Sequence, residues 1–157
     1  MQKRRLVLGL LLVALVLVGC GAPNVDWTLS VTGAVDQPLT LTYRELSRMP
    51  QEDLNEILME RTHGEDSIGD WSGVPLRTLL TEAEAHEGWV SITALATDGY
   101  AVEVSREELD GAIVALKEQG EWITKGDPEH GPIRLVCPLT PADRWVFQLT
   151  ELQVNAP

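Results

Sequence analysis

The chain has 157 residues, with 24 acidic and 12 basic side chains, and its formal net charge is −12 at pH 7. A surface this acidic opposes binding to nucleic acid or to anionic lipid headgroups. With only two cysteines, the chain also lacks the disulfide-rich framework of many small secreted domains.

The first twenty residues have the composition of a secretory signal peptide. Lys3, Arg4 and Arg5 precede an apolar run from Leu6 to Val18. This run is shorter than the roughly 20 residues that a membrane-spanning helix needs. We therefore predict a cleaved signal peptide over residues 1–19. An ordinary signal peptide or a membrane anchor with an incidental cysteine is the alternative. Cleavage would leave nine basic residues against 24 acidic ones, a charge of −15.

The end of this run, "LVGC", resembles the lipobox of bacterial lipoproteins. That resemblance implies that Cys20 becomes the lipidated N-terminus of the mature chain and attaches it to a membrane. The predicted organisation is a signal peptide at 1–19, a lipidated tether at 20–26 and a globular domain at 27–157. The expected location is the extracytoplasmic face of a bacterial cell envelope.

The first half of the domain predicts two strands and two helices. The alternation in "WTLSVTG" and "LTLT" is typical of half-buried strands. Thr42 and Glu45 form a capping-box pattern before "YRELSRM", and Pro50 ends that helix. A second helix is predicted to begin at Pro75 in "PLRTLLTEAEA". The polar stretch from Leu58 to Asp70 between the helices is predicted to be a loop.

The second half is richer in predicted strands. "WVSITALATDGYAVEVS" indicates two strands joined by an Asp-Gly turn, and Ser105 with Glu108 predicts a third short helix. "AIVALK", "IRLVCP" and "WVFQLTELQV" follow as further strands, and Cys137 within the second is predicted to be a buried structural thiol. The sum is one α+β domain with a mixed β-sheet and short helices.

Four segments of the chain, in order, resemble the molybdopterin-binding domain of the sulfite oxidase family, which includes periplasmic methionine sulfoxide reductases. They are "LSVTGAVDQPLTLTYREL", "WSGVPLRTLL", "VSITALATDGYAVEVSREEL" and "HGPIRLVCPLTPADRWVFQLTELQV". The resemblance implies the mixed α+β sulfite-oxidase fold. It also implies a molybdenum cofactor and an oxidoreductase activity.

Catalytic members of that family carry a cysteine just before the Trp-x-Gly segment, and its thiolate binds molybdenum. In this chain the corresponding region, Leu58 to Asp70, contains no cysteine. Met59 is a neutral thioether, and the imidazole of His63 is not a thiolate. We therefore expect no resident cofactor and no metal ligand, and molybdopterin is implied by the resemblance alone.

Five residues are candidates for ligand binding. The resemblance implies that Tyr100 lies in the active site. It also implies that His130 and Arg134 form a basic pair able to bind the phosphate of the cofactor. Arg61 and His63 are candidates from the polar segment. The alternatives are a core aromatic residue for Tyr100, a strand-end arginine paired with an acid for Arg134, and a solvated loop residue for Arg61.

Three functions remain open at this point. The first is a lipid-anchored, non-catalytic domain that binds a small ligand or a partner protein of the envelope. The second is a molybdopterin-dependent oxidoreductase that transfers oxygen atoms or electrons. The third is a structural envelope lipoprotein. The missing thiolate favours the first, because a fold alone does not fix a function.

Overall fold

The computed structural model describes residues 21–124 and 131–157. The predicted signal peptide, Cys20 and His130 lie outside the described residues, so the predictions for them stay predictions. Within those two ranges, no helix is both long and apolar enough to cross a membrane.

In residues 21–124 and 131–157 the structure has two short helices and ten strands. The helices are α1 (Tyr43–Arg48) and α2 (Leu76–Glu82). The strands are β1 (Thr28–Gly33), β2 (Leu39–Thr42), β3 (Glu52–Met59), β4 (Ser67–Pro75), β5 (Ser91–Ala96), β6 (Ala101–Ser105), β7 (Ile113–Glu118), β8 (Glu121–Trp122), β9 (Arg134–Val136) and β10 (Leu149–Asn155). A 3₁₀ turn at Ala142–Arg144 precedes the last strand.

The strands form two sheets. The first sheet has the order β2-β1-β10-β5-β6, and in it β1 runs parallel to β10 while the other neighbours are antiparallel. The second sheet has the order β3-β4-β7-β8 and is antiparallel, with β9 also pairing with β7. This architecture confirms the predicted α+β class with mixed strands.

The alternation read from the sequence produces the predicted burial in the first sheet. Leu29 and Val31 of β1 are fully buried, as are Ile92 and Ala94 of β5. The runs "AIVALK" and "IRLVCP" form β7 and β9, and both are buried along most of their length. Burial of this apolar surface, at about 25 cal/mol per Å², is the main stabilising contribution to the domain.

Helix α1 begins at the predicted capping box. The Oγ1 of Thr42 accepts a hydrogen bond from the Glu45 amide at 3.2 Å, and the Glu45 carboxylate accepts one from the Thr42 amide at 2.7 Å. The bond from the Thr42 amide, together with one from the Thr42 hydroxyl at 2.7 Å, lowers the pKa of the Glu45 carboxyl group. Helix α2 begins one residue later than predicted. Pro75 is its N-cap, and Leu76 is the first helical residue.

The third predicted helix does not form. Ser105 and Glu108 do make the reciprocal bonds of a capping box, with the Ser105 amide donating to the Glu108 carboxylate at 3.0 Å. The following residues, 106–111, are turns. Gly111 has a left-handed φ of 72°, so the backbone leaves the right-handed helical conformation there and no helix continues.

The segment predicted as a polar loop is largely a β-hairpin. Leu58 pairs with Ile68 across β3 and β4, so only residues 60–66 form the loop. The prediction is correct for residues 60–66 and wrong for residues 58–59 and 67–70, which are the ends of β3 and β4. In β3 the two-residue period is broken. A register shift between Leu54 and Ile57, with Glu56 at a φ of 54°, interrupts the alternation of its apolar side chains.

Candidate functional site

A cleft of about 480 Å³ lies between the β3–β4 hairpin and the start of β9. Met59 ends β3, and the loop that follows it contributes Arg61 and His63. Arg134, the first residue of β9, lines the opposite side. Thr62, Ala142, Asp143 and Phe147 complete the lining. The structure therefore brings together three of the five predicted site residues from distant parts of the chain.

Met59 occupies the interior of this cleft, with only 3% of its surface exposed. Its sulfur lies 3.4 Å from Nε of Arg61, 3.9 Å from Nη2 of Arg134 and 3.9 Å from Oγ of Ser67. A thioether is a weak hydrogen-bond acceptor and carries no charge. The sulfur is therefore close to two guanidinium groups without neutralising either one.

Arg134 is fully buried and lies against three aromatic rings. The guanidinium carbon is 3.7 Å from the ring centroid of Phe147, 4.7 Å from Trp71 and 5.2 Å from Trp145. The two tryptophan rings meet edge to face at 5.9 Å, and Nε1 of Trp145 donates to the Cys137 carbonyl at 2.9 Å. Cation–π attraction and packing thus fix the position of this cation.

The loop on the other side of the cleft is exposed. Arg61, Thr62 and His63 all lie in the exposed class. The Arg61 amide donates to Oδ1 of Asp66 at 2.9 Å, which closes the loop, while the Arg61 side chain turns back towards Met59. The description of Arg61 as an exposed loop residue holds, and its side chain still faces the cleft.

Tyr100 belongs to an adjoining pocket of about 340 Å³. The two pockets share Ala142, Asp143 and Phe147 in their walls. Tyr100 is 49% exposed, and its hydroxyl donates to the Asp143 carbonyl at 2.8 Å. The alternative that Tyr100 is a core aromatic residue was therefore wrong, because its ring lies at the surface and links β6 to the turn at Ala142–Arg144.

The sequence did not predict several residues that line the cleft, among them Asp143 and Phe147. Both belong to "PADRWVF", which was assigned to a loop and a closing strand. The strand itself begins only at Leu149, and Asp143 and Phe147, which precede it, line both pockets. Nothing in their local pattern distinguishes them from ordinary loop residues.

Cys137 lies outside the cleft and is fully buried. Burial in apolar surroundings raises the pKa of its thiol to about 12, with a further increase from the charge of Glu108. The predicted buried structural thiol is confirmed. In the two described ranges, no group of three or more His, Cys, Asp or Glu side chains is arranged to hold a metal ion.

The chain matches a known protein family over most of its length. Residues 20–156 match the model of the oxidoreductase molybdopterin binding domain. The chain belongs to this family. The match covers the cleft, both sheets and both helices, which confirms the resemblance inferred from the four segments.

Two plant nitrate reductases are among the relatives. The chain is 29% identical to inducible nitrate reductase [NADH] 2 of Glycine max and 26% identical to nitrate reductase [NADH] of Petunia hybrida, in each case over 83% of this chain. It spans only 18% of the length of each relative. This chain therefore corresponds to one part of those larger enzymes.

A solved structure shares the fold. The sulfane dehydrogenase SoxCD from Paracoccus pantotrophus superimposes with a TM-score of 0.71 at 23% identity, covering 86% of this chain and 40% of that one. At this identity the likeness concerns the fold alone, and it confirms the predicted sulfite-oxidase-type architecture.

Proposed function

We propose that this protein is a non-catalytic member of its family that binds a small organic ligand in the cleft between Met59, Arg61 and Arg134. The observation that carries the proposal is the sulfur of Met59. It lies at the end of β3, inside the cleft, and within the segment Leu58 to Asp70 in which the resemblance implies a metal-binding thiolate. The scaffold of the family is retained, and the ligand chemistry of its site has changed.

The available donors do not fit a thiolate-bound molybdenum. The sequence has only two cysteines. Cys20 is the predicted lipidation site. Cys137 is fully buried away from the cleft, and its raised pKa keeps it a neutral thiol. Met59 offers a soft but uncharged sulfur with two guanidinium groups nearby, and these cations oppose the approach of a metal cation.

The same arrangement favours an organic ligand. Arg134 is held rigidly by three rings, and Arg61 lies on a loop that can adjust. Between them the side chains of Met59 and Phe147 provide apolar surface. A cleft with fixed polar groups and apolar walls is the usual form of a small-molecule site, and about 480 Å³ lies in the usual size range.

The proposal includes a membrane anchor. The "LVGC" segment supports lipidation of Cys20, which would hold the cleft at the extracytoplasmic face of the envelope. A partner protein of the envelope is a further possibility that the same location allows. The domain would then capture a ligand outside the cytoplasm and keep it near the membrane.

A molybdopterin-dependent oxidoreductase is the second candidate, and family membership favours it. Such an enzyme would have to hold its metal without a protein thiolate. It predicts a released pterin fluorophore and a stoichiometric metal content, neither of which the first proposal expects.

Native mass spectrometry of the full chain, extracted from its own membrane in mild detergent, tests the binding proposal. We expect a non-covalent small-molecule adduct on the wild-type protein. Arg61→Gln removes a charge from the cleft and should reduce the adduct. Arg44→Gln removes one from the exposed side of α1 and should leave it unchanged.

If the adduct persists equally in both variants, the cleft is not the binding site. If no adduct is found on the wild type under these conditions, the structural-lipoprotein hypothesis replaces this one. The mass of the adduct would also identify the compound class directly.

A further inference from the structure

The segment between the predicted lipidation site and β1 is packed against the domain. Three of its apolar side chains are partly buried and contact the core, those of Ala22, Val25 and Trp27. Nε1 of Trp27 also donates to the Leu149 carbonyl at 2.7 Å. Only Gly21 separates Cys20 from Ala22, and two residues span at most about 7 Å. A lipid on Cys20 would therefore hold the domain close to the bilayer, with little freedom to turn.

This segment meets the first sheet at one end. β1 runs parallel to β10, and Leu149 at the start of β10 pairs with Ala96 at the end of β5. A small pocket of about 210 Å³ lies at this junction, lined by Asp26, Trp27, Thr28, Thr97 and Thr150. We call this end of the sheet, where β1 and β10 begin and β5 ends, the anchor end.

The turn after β5 connects the anchor end to the cleft. The Tyr100 hydroxyl donates to the Asp143 carbonyl at 2.8 Å, and Asp143 lines the cleft. The Ala142 amide donates to the Glu60 carbonyl at 2.8 Å, which joins the loop after β3 to the same turn. The cleft therefore lies on the side of the domain from which the N-terminal segment leaves.

Val90 marks the opposite end of the sheet. It precedes β5, and its amide donates to the carbonyl of Asn155, the last residue of β10, at 2.8 Å. The six residues of β5 separate Val90 from the turn that contains Tyr100, a distance of about 20 Å. Tyr100 is 49% exposed and Val90 is 44% exposed, so the two ends offer a matched pair of positions.

From this arrangement we infer that the anchor end is the surface that the domain presents to the bilayer, with Tyr100 and the cleft on the membrane side. The surface it fits is a zwitterionic one, because Asp26 and Asp98 are exposed there and anionic headgroups would repel them. A half-exposed tyrosine suits the headgroup region, where rings with one polar end are enriched. This inference rests on the proposed lipid anchor and adds the orientation of the domain.

Quenching of a fluorophore by nitroxide-labelled lipid tests the orientation. The full chain is purified from its own membrane with Tyr100→Cys or Val90→Cys, labelled with a thiol-reactive fluorophore and placed in phosphatidylcholine vesicles. The fluorophore at position 100 should lose most of its emission, and the one at position 90 should lose little. Cys137 is fully buried, and the unsubstituted chain serves as the control for its labelling.

Two further variants make the result independent of a single side chain. Asp98→Cys places the fluorophore in the same turn without removing the Tyr100 hydroxyl, and it should be quenched as strongly as Tyr100→Cys. A spacer of about ten Gly and Ser residues between Gly21 and Ala22 should reduce the quenching at both positions, because a flexible linker lets the domain turn away from the lipid.

Flotation with the vesicles reports the anchor separately from the orientation. A chain that floats but shows equal quenching at both ends, or stronger quenching at position 90, would overturn the orientation and leave the anchor standing. A chain that does not float would overturn the anchor and the orientation together. Ligand binding in the cleft is decided by the adduct in native mass spectrometry, whichever of these results is found.

Discussion

The two walls of the cleft are built in opposite ways. On one side Arg134 is fully buried, and its cation is enclosed by Trp71, Trp145 and Phe147. On the other side Arg61 and His63 lie on an exposed loop that is closed mainly by one bond to Asp66. The packed wall gives the site a fixed position, and the exposed loop can move to fit a ligand. Substitutions should therefore affect stability on one side and binding on the other.

The largest loss of stability is expected from Trp71→Ala. Trp71 is 1% exposed and packs against both Trp145 and Arg134, so its removal leaves a large cavity. Urea denaturation should show a decrease of about 4 kcal/mol in the free energy of unfolding. A decrease below about 1 kcal/mol would show that the aromatic wall is not tightly packed.

Arg134→Ala should cost about 3 kcal/mol, since the buried stem and its cation–π contacts are both lost. Arg134→Met keeps most of the volume without the charge and should cost less than about 1.5 kcal/mol. Equal losses for the two variants would mean that the charge, rather than the packing, stabilises this wall.

Stability should fall in alkali because two buried acids resist ionisation. Burial raises the pKa of the Cys137 thiol from 9.0 to about 12, and it raises the pKa of Tyr43 from 10.0 to about 12. The unfolded chain loses these protons first, so the folded state loses stability as pH rises from about 9 towards 12. Urea denaturation from about pH 8 to about pH 11 should show a decrease on the order of 4 kcal/mol, reduced in Cys137→Ala. A flat profile would contradict the burial of both groups.

Tyr100→Phe should have a modest effect. It removes the hydrogen bond to the Asp143 carbonyl, which is worth about 1 kcal/mol at a half-exposed site. Differential scanning calorimetry should show a small decrease in Tm. An unchanged Tm would show that this hydrogen bond does not stabilise the contact between Tyr100 and the turn at Ala142–Arg144.

Arg61→Gln is expected to have the smallest effect on stability, within about 0.5 kcal/mol, because the side chain is exposed. The same change should reduce ligand affinity, because it removes a charge from the cleft. A stability loss comparable to that of Arg134→Ala would remove the distinction between the two walls.

The parts of the fold that sequence predicted well are those in which one period repeats without interruption. Leu29 and Val31 alternate with polar residues, and the capping box of Thr42 and Glu45 is a local pattern, so both were predicted correctly. The hairpin of β3 and β4 was missed because the left-handed Glu56 breaks the two-residue period. An unbroken pattern made a strand predictable, whether it was the alternation of β1 or the continuous apolar runs of β7 and β9.

The candidate site also contains both residues that the sequence predicted and residues that it did not. Tyr100 and Arg134 were predicted from family resemblance, and Arg61 from its place beside the missing cysteine. Asp143 and Phe147 were not predicted, because their role depends on two pockets meeting at a turn between β9 and β10. Such a meeting is a property of the tertiary structure and leaves no pattern in the local sequence.

In the segment Leu58 to Asp70, where the family's metal would need a thiolate, this protein offers only the thioether of Met59 as a sulfur donor. The loss of the metal that we infer from this is tested most directly by the molybdenum and pterin content of the full chain, purified from its own membrane and measured by mass spectrometry and by fluorescence after denaturation. We expect molybdenum far below one atom per chain and no released pterin. Near-stoichiometric molybdenum together with a pterin fluorophore would contradict it.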